Sequence, residues 1–210
     1  MYEKPVTEFE QFLTLLARFI PQRFSWDNLL ISEAGLRLLL SHFKIFPALI
    51  DVVNAFGAQT SSESDSISAC HSYVRANISG QSWLLPPHTV KLPGLIQTLI
   101  ECCYVARHVE AHGREELDDP WSIRQMGVYH QRNVWDNTNT FVIFNPSKTF
   151  QQRLKDAQIN STRLPTWRDI HTLTASCSTT TWRRYISHIE LKLAQLVNTC
   201  IYYTQQEREY

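Results

Sequence analysis

Only six glycines occur in 210 residues, which leaves little room for a glycine-rich phosphate loop. Neither a Gly-x-Ser-x-Gly elbow nor a His-Glu-x-x-His pair is present, so the familiar nucleophile and zinc-hydrolase arrangements are missing. The five cysteines, Cys70, Cys102, Cys103, Cys177 and Cys200, are odd in number and form no Cys-x-x-Cys pair. Nothing near Glu3, Lys4 and Pro5 resembles a secretory leader. A reducing, cytoplasmic setting with apolar buried thiols is therefore expected. The sequons Asn77-Ile78-Ser79 and Asn160-Ser161-Thr162 are read as silent in that setting. No apolar run reaches about 18 residues, so the chain as it stands spans no bilayer. The nearest approach, Leu191 to Tyr203, is broken by Lys192, Gln195 and Asn198. Twenty basic residues balance twenty acidic ones, leaving no global field for nucleic acid or anionic lipid.

What is there suits a packed core: 43% hydrophobic residues, with ten Phe, eight Tyr and six Trp. The pattern predicts one α+β domain over 1–210, with a helical part at 1–57, a β part at 70–146 and a helical part at 147–210. Phe9, Phe12, Leu13, Leu16, Phe19 and Ile20 fall on one helical face that ends at Pro21. A second helix is expected over Ser32 to Phe43, with Leu36, Leu39, Leu40 and Phe43 inward. A third begins at Pro47, buries Leu49, Val52, Val53 and Phe56, and meets a left-handed cap at Gly57. Gln59 to Ser68 is serine-rich and reads as a loop.

Alternation predicts a strand over Cys102–Val109, and strands are also expected over His71–Ile78, Ser122–Gln131 and Phe141–Phe144, the last stopped by Asn145-Pro146. The last two form a hairpin through Asp136-Asn137-Thr138-Asn139. Helices follow at Ser147–Gln158, with Ser147 as N-cap, and at Trp167–Thr174. From Thr181 onward, Trp182, Tyr185, Ile186, Ile189, Leu193, Leu196, Val197 and Cys200 make one long apolar stripe.

His108 and His112 would lie about 13 Å apart on a strand, too far to share an ion. Cys102 and Cys103 point to opposite strand faces and make a poor chelate. Asp118 and Asp119, beside Glu115 and Glu116, offer oxygen ligands of the kind Mg²⁺ or Ca²⁺ takes. The spacing of a calcium loop is absent, and a solvated turn is the preferred reading. No other cofactor is expected. On the strand holding Trp121, Ser122, Arg124, Gln125 and Tyr129, Arg124 projects from a mostly apolar face and needs a carboxylate or carbonyl partner. A structural anchor with Trp121 packed over Arg124 is preferred to a ligand-recognising arginine.

Pro120-Trp121-Ser122-Ile123-Arg124-Gln125, followed by Val128-Tyr129-His130, resembles the hallmark of the fungal CorA-like transporter domain. Phe46-Pro47 through Ala55-Phe56-Gly57, Tyr104 to Glu110, and Trp182-Arg183-Arg184-Tyr185-Ile186 agree in order with other parts of that family. The resemblance implies the cytosolic part of a divalent-cation transporter, whose long helix leads toward membrane helices and whose domains oligomerise. The Gly-Met-Asn pore signature is absent from the chain. A non-enzymatic, Mg²⁺-related cytosolic domain is thus expected, self-associating through the C-terminal helix. It would meet a membrane only through a segment this chain lacks. Pro120, Trp121, Ser122, Arg124, Gln125, Tyr129, Trp182 and Tyr185 are its interaction or structural residues. The rival is a stand-alone protein-interaction domain.

Overall fold

A computed structural model describes residues 19–24, 27–57, 69–78, 81–85, 97–113, 119–135, 137–160 and 165–206. Its elements run β1 (Phe19–Ile20), α1 (Glu33–His42), α2 (Leu49–Asn54), β2 (Cys70–Ile78), β3 (Gln81–Leu85), β4 (Gln97–Ala111), β5 (Trp121–Asn133), β6 (Asn139–Phe144), α3 (Lys148–Asn160), α4 (Trp167–Thr179) and α5 (Trp182–Gln206). The six strands form one sheet in the order β1-β6-β5-β4-β2-β3. Every pairing is antiparallel except that of β1 with β6. This is the α+β architecture that the pattern predicts.

The pleat sorts the core into two layers. Cys103, Tyr129, Val142 and Phe144 face α1 and α2, where they meet Phe46, Leu49, Val52 and Phe56. Met126, Val128, Phe141 and Ile143 face the other way, against Phe150 and Leu154 of α3 and Ile170 and Cys177 of α4. Both faces of β5 and β6 are therefore covered, which explains the unbroken apolar run Phe141-Val142-Ile143-Phe144.

Local chemistry sets the helix ends. The Ser32 side chain accepts the Gly35 N–H at 3.0 Å and starts α1. Ser147 does the same for Phe150 at 3.0 Å. Thr166 and Asp169 close a reciprocal capping box on α4. Gly57, at φ +120°, holds the left-handed position expected after α2.

Two expectations change. The helical face drawn from Phe9 to Ile20 lies outside the described residues up to position 18, and its last two residues are strand. Phe19 packs into the α3/α4 layer while Ile20 is buried in the α1/α2 layer. Successive residues thus point to opposite faces, the period of a strand. An apolar pair before a proline fits either period, and the vacant edge of β6 decides it. The helical part at 1–57 accordingly includes a strand. The helix from Trp167 also continues past Thr174 to Thr179. The serine-rich stretch Gln59 to Ser68 lies outside the described residues.

Candidate functional site

The long β4–β5 hairpin carries the hallmark residues to the base of α5. At its turn end the Asp119 carboxylate accepts the Trp121 N–H at 3.1 Å. The same carboxylate faces His188 Nε2 at 3.5 Å and Lys192 Nζ at 3.8 Å, one turn apart on α5. The Trp121 ring meets Tyr185 edge-on at 6.5 Å, and Tyr185 meets Trp182 at 5.9 Å. The Thr181 hydroxyl donates to the Val109 carbonyl and ties the start of α5 to β4. Pro120 is exposed, and its carbonyl accepts the His112 N–H at 3.0 Å. Trp121, Trp182 and Tyr185 thus come together, with Asp119 as the polar clamp beside them. A carboxylate already facing two basic side chains suits an ion pair better than a second cation. Asp118, Glu115 and Glu116 lie outside the described residues.

Above this base the hallmark strand splits between the two faces of the sheet. Arg124 sits diagonally across from Glu110, with Nε 3.2 Å from Oε2. That is the carboxylate its apolar face demanded. Ser122 is half-buried opposite Glu110. On the α2 face, Gln125 donates from Nε2 to the Ala55 carbonyl just past the end of α2. Deeper on that face Tyr129 donates to Glu101 at 2.7 Å. Glu101 is fully buried, and it also takes Gln131 Nε2 at 3.1 Å and the Arg75 guanidinium at 3.0 Å. Burial, and then the Glu101 carboxylate beside it, push the Tyr129 hydroxyl far above its usual range. Arg124, Arg75 and Glu101 thus each have a partner of opposite charge inside the fold. Trp121's ring partner is Tyr185, so the packing drawn for it over Arg124 gives way to packing against α5.

On the opposite face lies a grouping that sequence reasoning missed. The register sets Cys102 opposite His130, and α4 lays His171 over the pair. The ligand atoms of Cys102, His130 and His171 all fall within 4.8 Å of one another. His171 Nε2 stands 3.0 Å from His130 Nδ1. The outer nitrogens are held as well: His171 Nδ1 by the Tyr104 hydroxyl at 2.8 Å, and His130 Nε2 by Asn139 Oδ1 at 3.0 Å. Asn139 donates its own amide to the Asn137 carbonyl at 3.0 Å, so its oxygen faces His130. His130 must therefore carry its proton on Nε2, leaving the Nδ1 lone pair toward His171. The His130 ring is stacked on Phe141 at 4.2 Å, with Trp167 beyond it at 5.9 Å. Burial pushes His130 down to about 4 and lowers His171 as well. Burial, with Cys70 nearby, pushes the Cys102 thiol up to about 11. At neutral pH the group is two neutral imidazoles and a thiol.

A cleft of about 270 Å³ between α3 and α4 is lined mainly by Leu154, Ala157, Ile170 and Leu173. Its one carboxylate, Asp169, is spent on the capping box.

The only sequence signal for the missed cluster was the parity of Cys102, Tyr104 and His130, which share one face once β4 and β5 are paired in register. His171 is brought in by the packing of α4, which no local pattern encodes. No curated protein and no solved structure matches the chain. The sequence profile of the CorA-like transporters matches residues 16–201. With nearly the whole chain matched, from before β1 into the last turns of α5, the protein belongs to the CorA-like transporter family.

Proposed function

We propose that this chain is a non-enzymatic domain of a CorA-like protein that self-associates through α5 and serves Mg²⁺ handling together with membrane helices outside residues 1–210. One observation carries this reading. The α5 stripe lies exposed, with Leu193 at 60%, Leu196 at 64% and Val197 at 48%. Ile186, Ile189 and Ile201 lie on the same helix and are exposed too. Contiguous apolar surface of this kind marks an interface. Burying a leucine of the stripe in a partner contributes about 1.5–3 kcal/mol. The hallmark residues then fix the base of the helix to the sheet, so that each copy presents the stripe in the same orientation. Non-enzymatic character is the reading that membership in a transporter family supports. No helix among the described residues is long and apolar enough to cross a membrane.

The test is the mass in solution, measured by sedimentation. Wild type sediments as an oligomer, and Leu193→Asp or Leu196→Asp reduces it to the single-chain mass. A mutant that keeps the wild-type mass refutes assembly through α5. A wild type that is already a single chain replaces the proposal with a stand-alone protein-interaction domain.

A further inference from the structure

We infer that Cys102, His130 and His171 form a binding site for a borderline transition-metal dication, with Zn²⁺ as the occupant the donor set fits best. The inference stands apart from the assembly proposed above. It requires neither an oligomer nor a membrane.

Three features carry it. The first is donor chemistry. One sulfur and two imidazole nitrogens suit Zn²⁺, whereas Mg²⁺ takes oxygen donors in an octahedron and finds none among these three. The second is spacing. In a tetrahedral zinc site with Zn–N bonds of about 2.0 Å, ligand nitrogens stand about 3.3 Å apart. His130 Nδ1 and His171 Nε2 stand 3.0 Å apart, so this pair needs to part by only a few tenths of an ångström, and the Cys102 sulfur lies within 4.8 Å of both, from where it closes in as the ion binds. The third is the outer shell. Metal-bound histidines hold their remaining ring nitrogen against a fixed partner, which orients the ring. Both histidines meet this condition, through Tyr104 and through Asn139, and Asn139 is pinned in turn by the Asn137 carbonyl. Phe141 and Trp167 wall the His130 ring. His130 is buried while Cys102 and His171 are half-buried. Two of the three ligand residues therefore reach toward solvent.

Loading balances simply. The thiol of Cys102 gives up its proton to solvent as the sulfur–metal bond forms. His130 Nδ1 already presents its lone pair. His171 moves its proton from Nε2 to Nδ1, where it donates to the Tyr104 oxygen. The Tyr104 hydroxyl proton then turns away from His171 as its oxygen becomes the acceptor. One proton leaves per ion bound, and no oxidant or reductant is needed.

The experiment uses the full chain stripped of metal with a chelator and then titrated with Co²⁺, a spectroscopic stand-in for Zn²⁺. The expected result is a thiolate-to-cobalt charge-transfer band that saturates at one equivalent, is displaced by Zn²⁺, and vanishes in Cys102→Ser. Tyr104→Phe, which keeps all three ligands, should lower Zn²⁺ affinity about ten- to a hundredfold in competition with a chelating dye. A purely structural hydrogen-bond chain would leave the native protein without the band, and that result overturns the site. A band that survives in Cys102→Ser but is lost in Cys70→Ser or Cys200→Ser would be surface thiol binding, and overturns it equally.

Discussion

Gly127 lies where α2 comes closest to the sheet, in the middle of the hallmark strand. A Cβ built there would stand 2.7 Å from Val52 Cγ1, 3.1 Å from Phe56 Cε2 and 3.2 Å from Phe144 Cβ. None of these neighbours can step aside freely. Val52 is β-branched within a helix and so held to one rotamer. Phe144 Cβ is fixed by the backbone of β6. Gln125, two residues away, ties α2 to β5 through the Ala55 carbonyl. Gly127→Ala is therefore an overpacking change costing about 2–3 kcal/mol. For a chain of this size that lowers the melting temperature by roughly 4–12 °C. Val52→Ala removes the nearest obstructing atom while opening a small cavity of its own. Combined with Gly127→Ala, it should recover at least about 1 kcal/mol relative to the sum of the single changes. Urea denaturation of the four proteins gives the cycle. Additivity within about 0.5 kcal/mol, or a stable Gly127→Ala, would refute the claim that this glycine sets the approach of α2.

Arg75→Ala leaves the carboxylate of Glu101 fully buried with no cation beside it, and should cost about 3–5 kcal/mol by urea denaturation. Arg75→Met combined with Glu101→Gln, which removes both charges together, should lie much nearer the wild type. His108 is buried, and neither ring nitrogen has a hydrogen-bond partner. Burial holds its pKa below the ordinary 6.5. The unfolded chain thus protonates first as the pH falls, so this stability is fully present above 6.5 and is lost on acidification toward the depressed folded value. His108→Leu should flatten that part of the stability-versus-pH curve by one proton's share; an unchanged curve would show that His108 titrates alike in the folded and unfolded chain and would refute the effect of burial.

Much of the fold was legible because it is locally encoded. Alternation along β4, the short apolar run of β6 stopped by Asn145-Pro146, the Ser147 cap and Gly57 each report a preference that holds without tertiary help. Arg124's need for a carboxylate could be read from the apolar face around it, and Glu110 supplies one. The pair Phe19-Ile20 was not legible, because two apolar residues carry no period and β6 chooses for them. The cluster of Cys102, His130 and His171 stayed hidden for a related reason. Two members meet only through strand register and the third only through helix packing, so adjacent or i,i+4 spacing drew attention to the wrong neighbours, Cys103 and His112. Asp119 was legible as an acidic turn, but its engagement with His188 and Lys192 needed the course of α5.

The short β1 also has a bearing on solubility. β6 ends on Ile143 and Phe144, and without β1 its outer backbone would be an open edge of the kind that recruits strands from other molecules. Two residues suffice to cap it: Phe19 lies beside Ile143, Ile20 lies beside Phe144, and the Asn145 N–H donates to the Ile20 carbonyl at 2.7 Å. Because β1 precedes β6 in the chain, the cap is already synthesised when β6 emerges, and the two can pair as soon as β6 joins the sheet. The first strand thus acts as a guard against edge-to-edge aggregation.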